Sequence, residues 1–413
     1  MMARLVMVLL AGAMLLSGVV VRGGEYLERA ALQEWLAEWT DPFLRLLLLL
    51  ILLAVLFNRE GLAALWGRLP RNVRRGLPLV CLGGMAATAL LAPSTHRIYY
   101  DETIYLNIAQ NMAQLGQTQM CNSGGTEYGI YRCDRPEYNK QPNGYPFLVS
   151  LVYRLFGVSE RVAFLFNNFL LGLAALTVLF IAREISGSWR GAGIAAAAVV
   201  LNPQNLHWYN TTAAEPAAAV TTALVVLAAL WHRRQGGVAS LFLLTVLLAF
   251  SGHFRPESLL IAPVVLLLLW RSLKAPEVPG FLVLLVLLLL PLALHGAVFH
   301  GHPWGSSGKP YSFDYLSLNL QVNLGHYFEN RHFPFVWTFL ALAGLILPGE
   351  GLGRRLAVGL WFLLFWGVFL FFYAGSYAYG ADVRYALVSA LPLAVLAGGG
   401  GGGVCRPVER RFP

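Results

Sequence analysis

The chain has 413 residues, 57% of them hydrophobic and only 12% charged. Soluble domains carry about 25% charged and about 45–50% apolar residues, so a soluble fold and intrinsic disorder are both excluded. Four cysteines exclude a disulfide scaffold and give no zinc-type pair. In so apolar a chain the net charge of +9 reads as cation-rich cytoplasmic loops, and no nucleic-acid partner is expected.

A spanning helix needs about 20 mostly apolar residues. Candidate spans, in chain order, are Leu5–Val21, Phe43–Phe57, Leu77–Ala92, Val162–Ala182, Gly191–Pro203, Ala217–Trp231, Val238–Gly252, Ser258–Trp270, Gly280–Phe299, Pro334–Leu347, Leu356–Ala374 and Ala386–Val404. Several are short, which suits helices packed on other helices near a polar cavity. Placing the N-terminus inside puts 17 of the 30 Lys and Arg residues on inner loops with only five of the 21 acids, so every inner loop meets the positive-inside rule. We therefore expect an all-α polytopic protein of the plasma (inner) membrane with about twelve transmembrane helices and both termini cytoplasmic. Arg4 followed by Leu5–Leu16 also resembles a signal-like anchor without a clear cleavage site. The expected organisation is two spans and a basic loop over 1–76, a catalytic membrane domain over 77–404, and a tail over 405–413.

The outer segments hold the unusual charges. The first, within 93–145, opens with HRIYYDETIYLNIAQNMAQL, whose apolar Ile104, Leu106, Ile108, Met112 and Leu115 predict an amphipathic helix lying on the outer surface. Asp101 and Glu102 at its start are either simple helix-end acids or the carboxylates that a general base or a cation site needs. Cys121 and Cys133 share this loop, in an oxidising compartment; a disulfide stapling Asn122–Gly129 and two free thiols are the alternatives. Cys81 and Cys405 are expected to be reduced. Next comes KQPNGYPFLVSLVYRLFG, in which Lys140 either snorkels to headgroups or holds one particular phosphate, ahead of a helix too short to span.

In YNTTAAEP, Glu215 sits where a span begins, an ordinary place for an acid beside a first-turn proline. In HFRPE, Arg255 and Glu257 join two short spans and can close the turn as a mutual ion pair. Asp382 and Arg384 precede the final span in YGADVRY. The remaining histidines lack a metal-ligand spacing, and the glycine run Gly398–Gly403 reads as close helix packing or a weak helix.

The order of these motifs resembles the GT-C membrane glycosyltransferases. A D-E pair opens the first outer loop in YYDETIYLNIAQNM, and a K-x-P…YP stretch leads into an L-F-G helix. An outer E-P turn, an R-P-E turn and a late R-Y then follow. The pattern looks nearest to the bacterial aminoarabinose transferases and the protein O-mannosyltransferases, over roughly Leu77 to Val404. The resemblance implies a GT-C-type helical bundle, a polyprenyl-phosphate sugar donor, and a lipid, glycan or protein acceptor on the outer face. It implies that Asp101, with Glu102 beside it, acts at the site. Lys140 would lie near the lipid phosphate, and Tyr145, Glu215, Arg255, Glu257 and Arg384 are further substrate-binding candidates. Three departures stand out: two extra N-terminal spans, K-Q-P where the family has K-P-P, and no large C-terminal soluble domain.

The chemistry expected is a one-step inverting transfer. Asp101 deprotonates the acceptor, cations from Lys140, Arg255 and Arg384 neutralise the leaving phosphate, and Glu102 or Glu215 orients the acceptor or binds a divalent cation. The competing readings are a multi-pass transporter, an envelope polysaccharide polymerase or ligase, and a non-catalytic member of the same fold. No half-to-half similarity or mid-span charge pattern favours the transporter.

Overall fold

The computed structural model describes residues 17–18, 28–299, 309–330, 332–346, 351–378 and 382–404. The expected first span, all but two of its residues, and the expected tail with Cys405 lie outside them, as do His300, His302 and the side chain of Asp382.

The chain is an all-α polytopic membrane protein. Among the described residues, six helices are long and apolar enough to cross a bilayer: Arg29–Phe57, Glu160–Ser186, Glu215–Gln235, Val278–Val298, Leu352–Leu370 and Val383–Gly401. Four shorter apolar segments accompany them, Trp189–Val200, Gly237–Gly252, Pro256–Leu269 and Phe335–Ile346. With the helix Arg71–Leu91, each expected span after the first coincides with a helix.

The helix α1 (Arg29–Phe57) starts well before Phe43, where the apolar run had suggested a span. Glu34, Glu38 and Asp41 interrupt that run, but Leu32, Leu36 and Ala37 keep one apolar stripe, buried against Tyr138, Leu294 and Val298. Two polar ties fasten the stripe. Thr118 donates its backbone N–H to Ala37 O at 2.7 Å, and Asp41, almost fully buried, pairs with Arg154 at 3.4 Å and with Arg45. This N-terminal helix thus holds the segment over 93–145.

Beyond α2 (Arg59–Arg68) and α3 (Arg71–Leu91), that segment carries α4 (Tyr99–Gln114), which packs on α5 (Gly144–Phe156). Ile104, Tyr105, Ile108, Ala109 and Met112, spaced three to four apart along one face, are buried in the common core. The apolar face of α4 is therefore turned onto protein. Between α4 and α5, β1 (Met120–Cys121) pairs with β4 (Pro136–Glu137), and β2 (Gly124–Glu127) with β3 (Ile130–Cys133), both antiparallel. Cys121 and Cys133 are disulfide-bonded across this ribbon, with Cα atoms 5.7 Å apart. Cys81, in α3, is a free thiol.

The bundle is completed by α6 (Glu160–Ser186), α7 (Trp189–Val200), the short α8 (Pro203–Trp208), α9 (Glu215–Gln235) and α10 (Gly237–Gly252), then a 3-10 turn Pro256–Ile261 leading into α11 (Ala262–Leu269). After α12 (Val278–Val298) come α13 (Leu316–Gly325), α14 (Phe335–Ile346), α15 (Leu352–Leu370) and α16 (Ala386–Val404). The last helix lies in the core between α14 and α7. Its glycines make this contact. A Cβ on Gly400 would stand 2.2 Å from Leu340 O, and one on Gly398 2.4 Å from Gly191 O.

Candidate active site

Five charged side chains from four distant segments meet at one end of the bundle. Asp101 comes from the first turn of α4, Glu215 from the start of α9, Arg255 and Glu257 from the turn after α10, and Arg384 from the 3-10 turn before α16.

Glu215 is the hub. Only 2% of its side chain is exposed, and its Oε1 lies 3.1 Å from Arg384 Nε while accepting a hydrogen bond from Arg255 Nη1. Arg255 also donates Nε to Glu257 at 2.5 Å. Arg384 donates Nη1 to Asp101 Oδ2 at 3.2 Å and Nη2 to the Tyr385 hydroxyl at 3.1 Å. Both guanidinium groups lie over the Tyr385 ring, Arg384 at 4.9 Å and Arg255 at 5.3 Å from its centroid. Phe369 stacks on the same ring at 4.2 Å. Buried charges of this kind persist only when mutually paired, and here pairing fixes both arginines.

Asp101 is held from both sides. Its Oδ1 accepts from Gln141 Nε2 at 3.0 Å while Arg384 takes Oδ2. Gln141 in turn accepts from the Tyr105 hydroxyl at 3.1 Å, so its amide orientation is fixed. Burial pushes the Asp101 carboxyl above the ordinary aspartate range; Arg384 pulls it down, the Glu215 charge pushes it up, and the net shift is upward. A carboxylate that is oriented, partly exposed and made more basic is what a general base requires.

Glu102 has a different neighbourhood. Fully buried, it accepts at Oε1 from the backbone N–H groups of Arg97 (2.8 Å) and Ile98 (2.9 Å). At Oε2 it accepts from Thr212 N and Thr212 Oγ1, both at 2.8 Å, and lies 3.0 Å from His96 Nδ1. It satisfies the otherwise open N–H groups at the start of α4 and ties that start to the buried loop before Glu215. Asn167 and Asn210 hold the same loop, through Thr211 O at 2.7 Å and Ala92 O at 2.7 Å. Glu215 is placed by this loop.

Lys140 adjoins Gln141, and its carbonyl accepts from His295 Nε2 at 3.0 Å. The other nitrogen of that imidazole, Nδ1, lies 2.8 Å from the Tyr138 hydroxyl, so α12 grips the loop that carries Lys140. Tyr145 is buried, its ring edge-on to Tyr105 at 5.6 Å. Among the described residues no three His, Cys, Asp or Glu side chains converge as a metal-ligand set. Asp101, Glu215 and Glu257 each face a guanidinium.

Sequence reasoning did not single out Gln141 or Tyr385. A signal for Gln141 was present: it occupies the middle of K-Q-P, the departure from the family's K-P-P, and proline there has no amide to offer Asp101. Tyr385 was visible only as the second letter of the R-Y pair.

Comparison with solved structures finds the same arrangement of helices in ArnT from Cupriavidus metallidurans. The undecaprenyl phosphate-bound form matches with a TM-score of 0.54 and 16% identity over 80% of this chain and 60% of that one. The apo form gives a TM-score of 0.53, also at 16% identity, over 79% and 59%. The chain has the GT-C fold. It spans about three-fifths of the length of the ArnT chains. An oligosaccharyltransferase from Archaeoglobus fulgidus, tethered to an acceptor peptide, is a looser likeness, with a TM-score of 0.49 and 13% identity over 78% of this chain and 49% of that one. No protein-family model matches the sequence. No curated protein matches it either.

Proposed function

We propose that the protein transfers a sugar from a polyprenyl-phosphate-linked donor to an acceptor at the outer face of the plasma (inner) membrane, with inversion at the anomeric carbon. The observation that carries this reading is the Asp101 carboxylate, made more basic by burial and aimed by Gln141 and Arg384, inside a GT-C fold. The undecaprenyl phosphate held by ArnT, at low identity, supports the choice of donor class.

In the step, Asp101 takes the proton of the acceptor hydroxyl or amine as that atom bonds to the anomeric carbon. The bond from that carbon to the phosphate oxygen breaks, and its electron pair leaves on the phosphate. The donor is a phosphodiester and the group that leaves is a phosphate monoester dianion, which needs no general acid if cations meet the growing charge. Lys140 and Arg255 take that part. Arg384, engaged by Asp101, Glu215 and Tyr385, orients the base. Tyr145, Glu215 and Glu257 shape and fix this wall. Glu102 secures the loop beneath it.

The test is purified protein incubated with a panel of polyprenyl-phosphate sugars, scored for free lipid carrier. Release from at least one donor, abolished by Asp101→Asn, is expected. No release from any donor, or full release by Asp101→Asn, overturns the reading.

A further inference from the structure

A second feature lies beside this cluster: an open cavity of about 860 Å³ lined by the entry to α4, α8, α13 and the turn after α13. Its volume falls in the range of about 300–1,000 Å³ typical of small-molecule pockets. It shares a wall with the charged cluster, because Val383, which lines it, precedes Arg384, and Gln204 fixes that wall by donating Nε2 to Val383 O at 2.8 Å. On another side Arg97 lines it, one helical turn before Asp101.

The lining is polar and mixed. Arg97 supplies a cation, Glu329 a carboxylate, Gln321 an amide, and His207, His326 and His332 imidazoles. The groups are held in place. Arg97 Nη2 lies 2.9 Å from His207 Nδ1 and its guanidinium covers Trp208 at 5.7 Å. His326 Nε2 lies 2.9 Å from Gln204 Oε1, and its ring stacks on that of His332 with centroids 6.0 Å apart. Burial, with His332 nearby, pushes His326 down to about 3, and burial with Arg97 nearby lowers His207, so both rings are neutral at pH 7. Arg97 and Glu329 carry opposite charges, and the neutral His207 and His326 rings donate and accept hydrogen bonds without net charge.

We propose that this cavity binds a carbohydrate unit of the acceptor. The inference rests on the transferase reading and deepens it by naming the acceptor's chemistry. Hydroxyl groups donate and accept at once, which matches a wall of imidazoles and amides with one cation and one carboxylate. A polyprenyl tail would offer Gln321 and Glu329 no hydrogen bond in exchange for water. A peptide read through its backbone by strand addition needs a sheet edge, and among the described residues no strand lines this cavity. Asp101 and Arg384 do not line the cavity, so the unit held here is one that flanks the reacting unit of the acceptor.

The test uses the full chain in lipid nanodiscs and saturation-transfer NMR with maltose, cellobiose, diacetylchitobiose and a serine- and threonine-containing peptide. At least one saccharide should bind, Asp101→Asn should bind it equally, and Arg97→Gln or Glu329→Gln should weaken it roughly tenfold, the loss of one polar contact. Arg97→Lys, and elution of each variant as a single species, guard against misfolding: binding lost in Arg97→Gln but partly kept in Arg97→Lys supports the site. Peptide binding without saccharide binding, no saccharide binding, or binding indifferent to both pocket variants overturns the proposal. If carrier is released but no saccharide binds, the cavity assignment fails alone. If a saccharide binds and no donor is turned over, the transferase reading fails while the pocket stands.

Discussion

Asp101 and Glu102 are adjacent in sequence and opposite in environment, and the difference is testable. Asp101 has two partners and a raised pKa. As a base it works only when ionised, so transfer should fall as the pH drops through a value above the usual aspartate range of about 4. An acid limb in kcat/KM at or below about pH 4 would remove Asp101 from proton transfer. Asp101→Asn should cost at least about a hundredfold in kcat. Its stability should follow another sign. The folded protein holds this proton more tightly than the unfolded chain. Stability from this group is therefore full below the unfolded pKa and lost as the pH rises through the folded one. At neutral pH the neutral amide should leave Tm no lower. For Glu102, whose oxygens accept from Arg97 N, Ile98 N and Thr212, replacement by glutamine aims an amide N–H₂ at donors. Each hydrogen bond to a charged group contributes about 1.5–3 kcal/mol. Glu102→Gln should therefore lower thermal stability clearly while retaining transfer at low temperature; lost transfer with an unchanged Tm would give Glu102 a chemical role. Sequence alone shows two adjacent acids. Which one is spent on backbone N–H groups depends on Thr212, far along the chain, and no local pattern reports that.

At the scale of elements, the glycine run Gly398–Gly403 was legible as close packing or weak helix, and its geometry shows why the first reading fits. Gly344 and Gly400 approach each other's helices, since a Cβ on Gly344 would lie 2.0 Å from Leu396 O and one on Gly400 2.2 Å from Leu340 O. Gly399, one residue away, has only ordinary contacts at 3.8 Å or more. Packing between membrane helices rests on such close backbone approach. Gly400→Ala should therefore destabilise by about 1–3 kcal/mol, the usual cost of overpacking. Gly399→Ala should be neutral or gain the roughly 0.5–1 kcal/mol that alanine contributes to a helix over glycine. Equal melting temperatures for the two variants would refute the helix contact. Boundaries were less legible than packing. The start of α1 was hidden by Glu34, Glu38 and Asp41, whose helix is stabilised by Tyr138 and Arg154 of a later segment.

For the whole molecule, the alternation of loops is the strongest constraint that the sequence carried. The segments holding Asp101, Gln141, Glu215, Arg255 and Arg384 were all assigned to one side from charge counting, and these residues meet. The loops assigned to the other side also meet one another: Arg234 pairs with Glu184 at 2.9 Å, and Arg354 donates to Glu184 O. The cavity beside the site was not legible, because Arg97, His207 and His326 come from separate segments and share no motif. The geometry sorts loops into two ends, and the positive-inside rule predicts which of them faces the cytoplasm. That orientation can be measured. In a Cys81→Ser, Cys405→Ser background with the disulfide kept, Tyr100→Cys places an exposed thiol beside Asp101, and Gln235→Cys places one at the opposite end. A membrane-impermeant maleimide should label Tyr100→Cys in intact cells, and Gln235→Cys only after permeabilisation. The reverse pattern would put Asp101 in the cytoplasm, against the side that charge counting predicts, and an outward-facing acceptor would be ruled out with it.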